Sequence, residues 1–290
     1  MITNYYRENC LTLSEHQYMV IDRMNTGKIP DTLPVIELTT PLTAGQAHLY
    51  PWLLPLNDLS TSDWNWLESR YRQSQVTKEQ PPGCLLLTGS QPSEIVRHHL
   101  TNALFISDQQ QNKHVLRYYD PRVLFHLIWM MDAWSLANLL AVRDIPDWTF
   151  WLDGQWHTLS FIADQRPEAG RTNSTQLFSS LQRIGLINNV LTRLPEIDDL
   201  TQRERQSKII FQLLEAGENW LKNPDDLSEF ALSGVKYGMN FYLSEPVQSL
   251  LKESEKQPGT YCQVARSWNR EKWSAVMNET THTMPKGFSL

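Results

Sequence analysis

A stretch that alternates in polarity and then becomes apolar with helical spacing covers residues 113–124. The part up to Tyr119 is predicted to be a strand, because successive side chains of a strand point to opposite faces. Asp120 is placed to be the N-cap of the helix that follows, and Pro121 suits its first position, where a missing N–H costs nothing. Arg122 opposes the helix dipole at that end, which predicts a carboxylate partner, and Asp120 is the nearest.

Other strands and helices are predicted on both sides of this corner. Residues 84–88 form a short apolar run between two glycines, which favours a buried strand. Pro92 opens a segment whose apolar residues recur at helical spacing up to Leu104. Asp153-Gly154 lies between two apolar runs and predicts a hairpin with a two-residue type I′ turn. This mixture of elements indicates an α+β fold with a small sheet.

Beyond the hairpin the periodicity becomes helical, and helices are predicted to start at Pro224 and Pro246. A polar stretch with proline and glycine separates the two halves and is interpreted as a linker. The final polar segment is the part most expected to be flexible or ordered by a partner. The predicted organisation is an N-terminal α/β lobe over 1–163, a linker over 164–175, a C-terminal all-helical lobe over 176–255 and a tail over 256–290.

Residues 123–142 imitate a membrane span in length and apolar character. Asp132 would then lie near the middle of the bilayer at a cost of about 3 kcal/mol, and His126 and Asn138 would add to it. Two buried helices, the second capped by Asp132, are the simpler interpretation. The N-terminus has charged residues where a signal peptide needs an apolar stretch. We therefore expect no membrane insertion and a cytoplasmic location.

Composition and motifs narrow the function classes. Apolar residues make up 41% of the chain, the formal net charge is −6, and no basic stripe is present, so nucleic-acid binding is not expected. The three cysteines, Cys10, Cys84 and Cys262, form no CxxC pair and indicate reduced thiols. The chain carries no nucleophile elbow, phosphate loop, dinucleotide fingerprint or zinc-protease motif. The sequence thus predicts a protein without catalysis, metal or cofactor.

Two weaker chemical signals remain. His98 and His99 are adjacent, and adjacent side chains of a helix point about 100° apart, so they cannot share a metal ion. Cys84 is expected inside an apolar strand, where burial raises the pKa of a thiol and makes it inert.

Tryptophan is unusually frequent, with eleven residues in the chain. Most are expected in the core, but indole rings are also typical anchors of protein–protein contacts. Five that are close in sequence are interpreted as a candidate aromatic contact surface: Trp129, Trp134, Trp148, Trp151 and Trp156.

The corner and the elements before it resemble a known family. The apolar strand at 84–88, the helix start Pro92-Ser93-Glu94 with His98-His99-Leu100, and the run RYYDPRVL at 117–124 follow one another in the same order in type VI secretion effector chaperones, also called adaptors of the Tap or TEC type. The C-terminal half is similar to that family's helical lobe more loosely, through the segments at 224–227 and 238–241.

This resemblance implies a cytoplasmic, non-catalytic protein that binds a type VI secretion effector and helps to load it onto the spike protein VgrG. It also implies a motif that is fold-defining first and partner-binding second. That motif comprises Arg117, Tyr118, Tyr119, Asp120, Pro121 and Arg122. Its two arginines are expected to pair with carboxylates within the protein or on the partner.

Two alternatives stay open at this point. An immunity protein that neutralises a secreted toxin would share the acidic charge. An enzyme would use Cys84 or the His98–His99 helix.

Overall fold

The computed structural model describes residues 6–161 and 174–282. The chain forms two compact units, Met1–Leu181 and Gln182–Leu290. Most of the predicted linker, residues 164–173, lies outside the described residues. The strands belong to the first unit and the described part of the second is helical, which confirms the α+β class.

The described strands form one antiparallel six-stranded sheet, in the order β2-β3-β1-β4-β7-β8, and a separate ribbon of β5 and β6. Central strands β1 and β4 are apolar throughout and buried at every position, as strands covered on both faces must be. The strand bounds are β1 (Tyr18–Ile21), β2 (Ile36–Glu37), β3 (Trp52–Pro55), β4 (Leu85–Leu87), β5 (Phe105–Ser107), β6 (Lys113–Val115), β7 (Asp147–Leu152) and β8 (Gln155–Ser160).

Eleven α-helices are described, together with 3-10 segments at Leu13–Glu15, Ala44–Leu49, Leu56–Asp58 and Phe241–Leu243. The helix bounds are α1 (Thr61–Thr77), α2 (Ser93–Ala103), α3 (Pro121–Met130), α4 (Ala133–Leu139), α5 (Ser174–Gln182), α6 (Ile184–Leu191), α7 (Leu200–Gly217), α8 (Pro224–Tyr237), α9 (Glu245–Lys256), α10 (Thr260–Ser267) and α11 (Arg270–His282).

Helix α1 covers one face of the sheet. Its side chains Leu67 and Tyr71 join a buried cluster with Met19, Leu54 and Leu86 from three central strands. Helix α3 packs against β7. The sheet therefore supports the helix that begins at the predicted corner.

Several local predictions are confirmed. The hairpin β7–β8 turns through Asp153 and Gly154, which both have positive φ, as a type I′ turn requires. The membrane-like stretch is two helices, α3 and α4, and Asp132 caps the second by accepting a bond from the backbone N–H of Ser135 at 2.9 Å. In the described parts of the chain no helix has both the length and the apolar character needed to cross a bilayer.

The strand predicted up to Tyr119 is wrong beyond Val115. Tyr118 and Tyr119 are adjacent in sequence and both buried, whereas a strand with one covered face would expose one of them. The chain turns instead, and the N–H of Asp120 donates to the carbonyl of Arg117 at 2.9 Å. The side chains of Tyr118 and Tyr119 are therefore both buried, instead of alternating between a buried and an exposed face as the strand prediction required.

The tail is also corrected. Helices α10 and α11 occupy 260–267 and 270–282, and the side chains of Tyr261 and Trp273 are buried. Trp273 stacks on Tyr237 of α8 with 4.2 Å between ring centroids and 8° between planes. Apolar residues at helical spacing are too sparse here to stand out from a polar composition, yet a few large rings suffice to attach the segment. Residues 283–290 lie outside the described part.

Candidate functional site

The corner is organised by Asp120. Its Oδ1 accepts bonds from the backbone N–H and the Nε of Arg122, both at 3.0 Å, and its Oδ2 accepts one from Nη2 of Arg122 at 2.7 Å. The carboxylate is buried, whereas the Arg122 side chain is 52% exposed. These bonds raise the pKa of Arg122. The cap, Pro121 at the helix start and the carboxylate partner of Arg122 are all confirmed.

Arg117 fastens the corner to the end of β1. Its Nη2 donates to Oδ2 of Asp22 at 2.8 Å, and its guanidinium carbon lies 5.6 Å from the centroid of the Tyr119 ring. Asp22 also accepts bonds from the N–H of Met24 at 3.0 Å and from Nδ2 of Asn25 at 2.6 Å, so its carboxylate is held in a turn. Sequence reasoning missed Asp22, because nothing local links it to a residue so distant in the chain.

Tyr118 is the architectural centre of the motif. It is fully buried, and its Oη donates to the carbonyl of Leu100 in α2 at 3.0 Å. Its ring meets the rings of Trp148 and Tyr119 edge-on at 5.9 and 5.8 Å between centroids. Burial raises the pKa of Tyr118, so the hydroxyl stays a neutral donor. Tyr118 therefore ties α2 to β7 through the corner.

A cleft of about 300 Å³ opens beside the corner. Tyr119, Arg122, Lys78 and Trp151 contribute to its lining, and the Nζ of Lys78 donates to the carbonyl of Gly154 at 3.0 Å. Cys84 also lines it, but burial raises the pKa of that thiol to about 12, as the sequence indicated. The cleft offers fixed charges and aromatic surface rather than a reactive thiolate at neutral pH.

The corner lies in a segment that matches a protein-family model. Residues 38–138 match the protein-family model described as a domain of unknown function, DUF4123. This match covers roughly a third of the chain, from just before β3 to α4. No curated protein and no solved structure matches the chain.

Arg117 and Arg122 lie within the DUF4123 match, whereas Asp22 and the β7–β8 hairpin lie outside it. The matched segment thus carries the motif, and the flanking chain supplies one of its anchors.

The five tryptophans do not form a shared exposed surface, so that interpretation is wrong. Trp148 and Trp151 are buried on β7, an inner strand whose two faces are both covered. Trp156 is partly buried and stacks on Tyr71 with 5.1 Å between ring centroids. Trp129 is also partly buried and donates from Nε1 to Nδ1 of His126, and Trp134 is the exposed member. The crowding of Trp148, Trp151 and Trp156 in sequence reflects packing of the β7–β8 hairpin in the sheet, whereas Trp129 and Trp134 lie on α3 and α4.

The adjacent residues His98 and His99 contact different partners. His98 is exposed, and its Nε2 lies 3.0 Å from Nδ2 of Asn102, whereas the Nε2 of His99 lies 2.9 Å from Oδ2 of Asp144. Over residues 6–161 and 174–282, no three His, Cys, Asp or Glu side chains come close enough to form a metal site.

Proposed function

We propose that this protein is a cytoplasmic adaptor, or chaperone, that binds a type VI secretion effector and helps to load it onto the VgrG spike. The observation that carries this proposal is the RYYDPR corner inside the DUF4123 match, with both arginines held by carboxylates of the same chain. The matched family is associated with type VI secretion effector adaptors. In this proposal the protein acts by binding other proteins and catalyses no reaction.

The geometry supports a scaffolding role for the corner. Tyr118 is buried between α2 and β7, Asp120 fixes the start of α3, and Arg117 reaches Asp22 beyond β1. Three separate parts of the first unit are thereby held in one arrangement before any partner arrives. A preorganised surface loses less conformational entropy on binding, which is what a loading adaptor requires.

Co-purification is the direct test. The protein would be expressed with the effector and the VgrG encoded beside its gene, and complexes would be resolved by size-exclusion chromatography with light scattering. We expect a complex with the effector and a larger complex when VgrG is added. A protein that stays alone in both mixtures would contradict the proposal.

A deletion strain separates the adaptor from the immunity protein. Loss of an adaptor leaves the cells alive and blocks secretion of the effector, whereas loss of an immunity protein poisons the cells unless the effector is inactivated. Cys84→Ala and His99→Ala test the enzymatic alternative, and we expect both variants to keep effector secretion. Unimpaired secretion after deletion of the gene would exclude the loading role.

A further inference from the structure

We propose that residues 6–16 form a strap on the edge strand β8, and that this strap opens when His16 takes up a proton. The strap and its trigger do not depend on the proposed function, because they consist of hydrogen bonds within the first unit.

The strap covers the outer edge of the sheet. Strand β8 is the last strand in the sheet order, so its outward backbone groups lack a neighbouring strand. Tyr6 forms an antiparallel bridge with Leu159, and the N–H of Arg7 donates to the carbonyl of Thr158 at 2.9 Å. The start of the strap therefore occupies the position that a further strand would take.

Few buried side chains hold the strap in place. Among residues 6–16, those of Leu11, Leu13 and His16 are buried and the others are partly or fully exposed. The chain joins the centre of the sheet at Gln17, whose N–H donates to the carbonyl of Leu87 at 3.0 Å. A segment attached in this way can open while the sheet stays folded, because local opening costs less free energy than global unfolding.

A chain of hydrogen bonds with a fixed direction fastens the strap to the β7–β8 hairpin. Nδ1 of His16 lies 2.7 Å from the carbonyl oxygen of Thr12, and because a carbonyl only accepts, Nδ1 carries the hydrogen. Nε2 of the neutral ring is then an acceptor, and Oγ1 of Thr149 donates to it at 2.7 Å. Oγ1 of Thr149 accepts in turn from Oγ1 of Thr158 at 2.8 Å. The chain returns to the strap where Oγ1 of Thr158 accepts from the N–H of Leu11 at 3.0 Å.

A proton on Nε2 of His16 is incompatible with this direction, because the nitrogen becomes a donor. The Thr149 hydroxyl would have to turn towards Thr158, and the Thr158 hydroxyl towards Sγ of Cys10 at 3.2 Å. Sulfur is a weak acceptor, and the charged ring would stay buried, since His16 is 2% exposed. An open strap places the charged ring in water instead.

The charged groups that face His16 do not offset its burial. Burial lowers the pKa of His16, against the carbonyl of Thr12 and the carboxylates of Glu15 and Asp147, which favour the charged form. Both carboxylates have other partners. Oε2 of Glu15 accepts from the N–H of Thr12 at 2.7 Å, and Oδ1 of Asp147 lies 3.3 Å from Nη2 of Arg7. The proton is therefore bound more readily by the open strap than by the closed one.

Opening uncovers two features at once. The outer edge of β8 loses its cover, including the carbonyl of Thr158 that accepts from Arg7. Residues 10–14 also form one wall of a cleft of about 300 Å³, and the rings of Trp64, Tyr71 and Trp156 contribute to the rest of its lining. The acidic form thus presents a strand edge beside aromatic rings that the neutral form keeps covered.

Hydrogen exchange of the full chain, followed by mass spectrometry between pH 7.5 and 5, tests the proposal. Rates are expressed as protection factors, which removes the effect of pH on the intrinsic exchange rate. The open strap has the ordinary histidine pKa of 6.5, so opening becomes more favourable below that pH, by up to about tenfold per pH unit for one proton. We expect protection of residues 6–16 to fall about tenfold over this range, while β1 and β7 keep theirs.

Two variants with matched controls assign the effect to His16 and to the hydrogen-bond chain. His16→Gln should abolish the fall, whereas His48→Gln should keep it, because His48 is exposed. Thr149→Val removes a hydroxyl but keeps the shape and strand preference of the side chain, and should lower strap protection several-fold at pH 7.5. Thr101→Val should not, because Thr101 is a buried threonine on α2, outside the chain of hydrogen bonds.

If His16→Gln does not fold, the imidazole of His16 is titrated by NMR in the native chain, and its resonances should change over the same pH range as strap exchange. Strap protection that is unchanged between pH 7.5 and 5, or that falls equally in His16→Gln, would overturn the proposal. So would equal effects of Thr149→Val and Thr101→Val. A simultaneous loss of protection in β1 and β7 would also overturn it, because the whole unit would then be unfolding.

Discussion

Nη2 of Arg117 donates a hydrogen bond to Oδ2 of Asp22 at 2.8 Å, although 95 positions separate the two residues in the chain. The Asp22 carboxylate is mostly covered, while nearly half of the Arg117 side chain remains accessible. This pair connects the turn after β1 to the segment that leads into α3. It is the longest-range ion pair of the corner and holds together residues that no local rule would bring near each other.

Breaking this pair should cost more than breaking an ordinary surface pair. We expect Asp22→Ala to lower the free energy of unfolding by about 1–2 kcal/mol, because it removes a partly buried, charge-assisted bond and two bonds within the turn. Urea denaturation measures the change. Glu68→Ala is the control, since its exposed pair with Arg72 on α1 should contribute only about 0.3–0.5 kcal/mol. Equal losses in the two variants would show that the Asp22 pair is an ordinary surface contact.

The cap at Asp120 can be separated from its ion pair. Asp120→Ala should cost about 0.5–2 kcal/mol through loss of the cap, and Asp120→Asn should cost less, because asparagine is also a good N-cap. Asp132→Ala is the matched control, since Asp132 caps α4 through Ser135 alone.

Arg122→Ala then decides between scaffold and interface. We expect a small loss of Tm and an unchanged Kd for the effector, because the exposed guanidinium contributes mainly through Asp120. A folded variant that no longer binds would place Arg122 in the interface.

Stability should fall in mildly acidic solution because of His16. This side chain is buried, with Nδ1 2.7 Å from the carbonyl of Thr12 and Nε2 2.7 Å from Oγ1 of Thr149. Burial lowers the pKa of His16 below its ordinary 6.5, although Glu15 and Asp147 nearby favour the charged form.

The sign follows from proton linkage. The unfolded chain binds a proton at His16 more readily than the folded chain does. The contribution of His16 to the free energy of unfolding is therefore complete above pH 6.5 and declines as the pH falls below that value. Urea denaturation at several pH values between 7.5 and 5 measures how steeply the free energy of unfolding falls with pH. His16→Gln should flatten it, and His48→Gln is the control, because it replaces an exposed histidine and leaves the buried His16 in place. An identical slope in the native chain and His16→Gln would contradict this assignment.

Two glycines of the helical unit should respond in opposite directions to alanine. A Cβ on Gly234 of α8 would lie 2.3 Å from Cδ2 of Leu213 on α7, so Gly234→Ala should destabilise by about 1–3 kcal/mol. Gly185 of α6 has no atom within 4 Å of such a Cβ, and Gly185→Ala should stabilise by up to about 1 kcal/mol. Thermal unfolding compares them. A tolerated Gly234→Ala would mean that α7 and α8 are packed less closely.

Local rules predict those parts of the fold that depend on neighbours in sequence. The cap at Asp120, the cap at Asp132 and the turn at Asp153-Gly154 each follow from backbone geometry over a few residues, and each is present. The prediction that the strand continues beyond Val115 is wrong, because burial of the adjacent Tyr118 and Tyr119 depends on which distant residues pack over them.

The candidate site was predicted only in part for the same reason. The bond between Arg122 and Asp120 is local, whereas the bond between Arg117 and Asp22 depends on the whole sheet. Burial of Trp148 likewise depends on strands that flank β7 from elsewhere in the chain. Composition alone could not tell such a residue from a surface anchor.

The position of β1 sets a limit on how this protein can be divided. This strand is inserted between β3 and β4, yet it precedes residue 38, and β7 and β8 follow residue 138. A fragment trimmed to the family match would lose four of the six strands, including β1 from the middle of the sheet. The segment that matches the family model is therefore smaller than the sheet to which it contributes, and expression work should retain all six strands, from β1 through the β7–β8 hairpin.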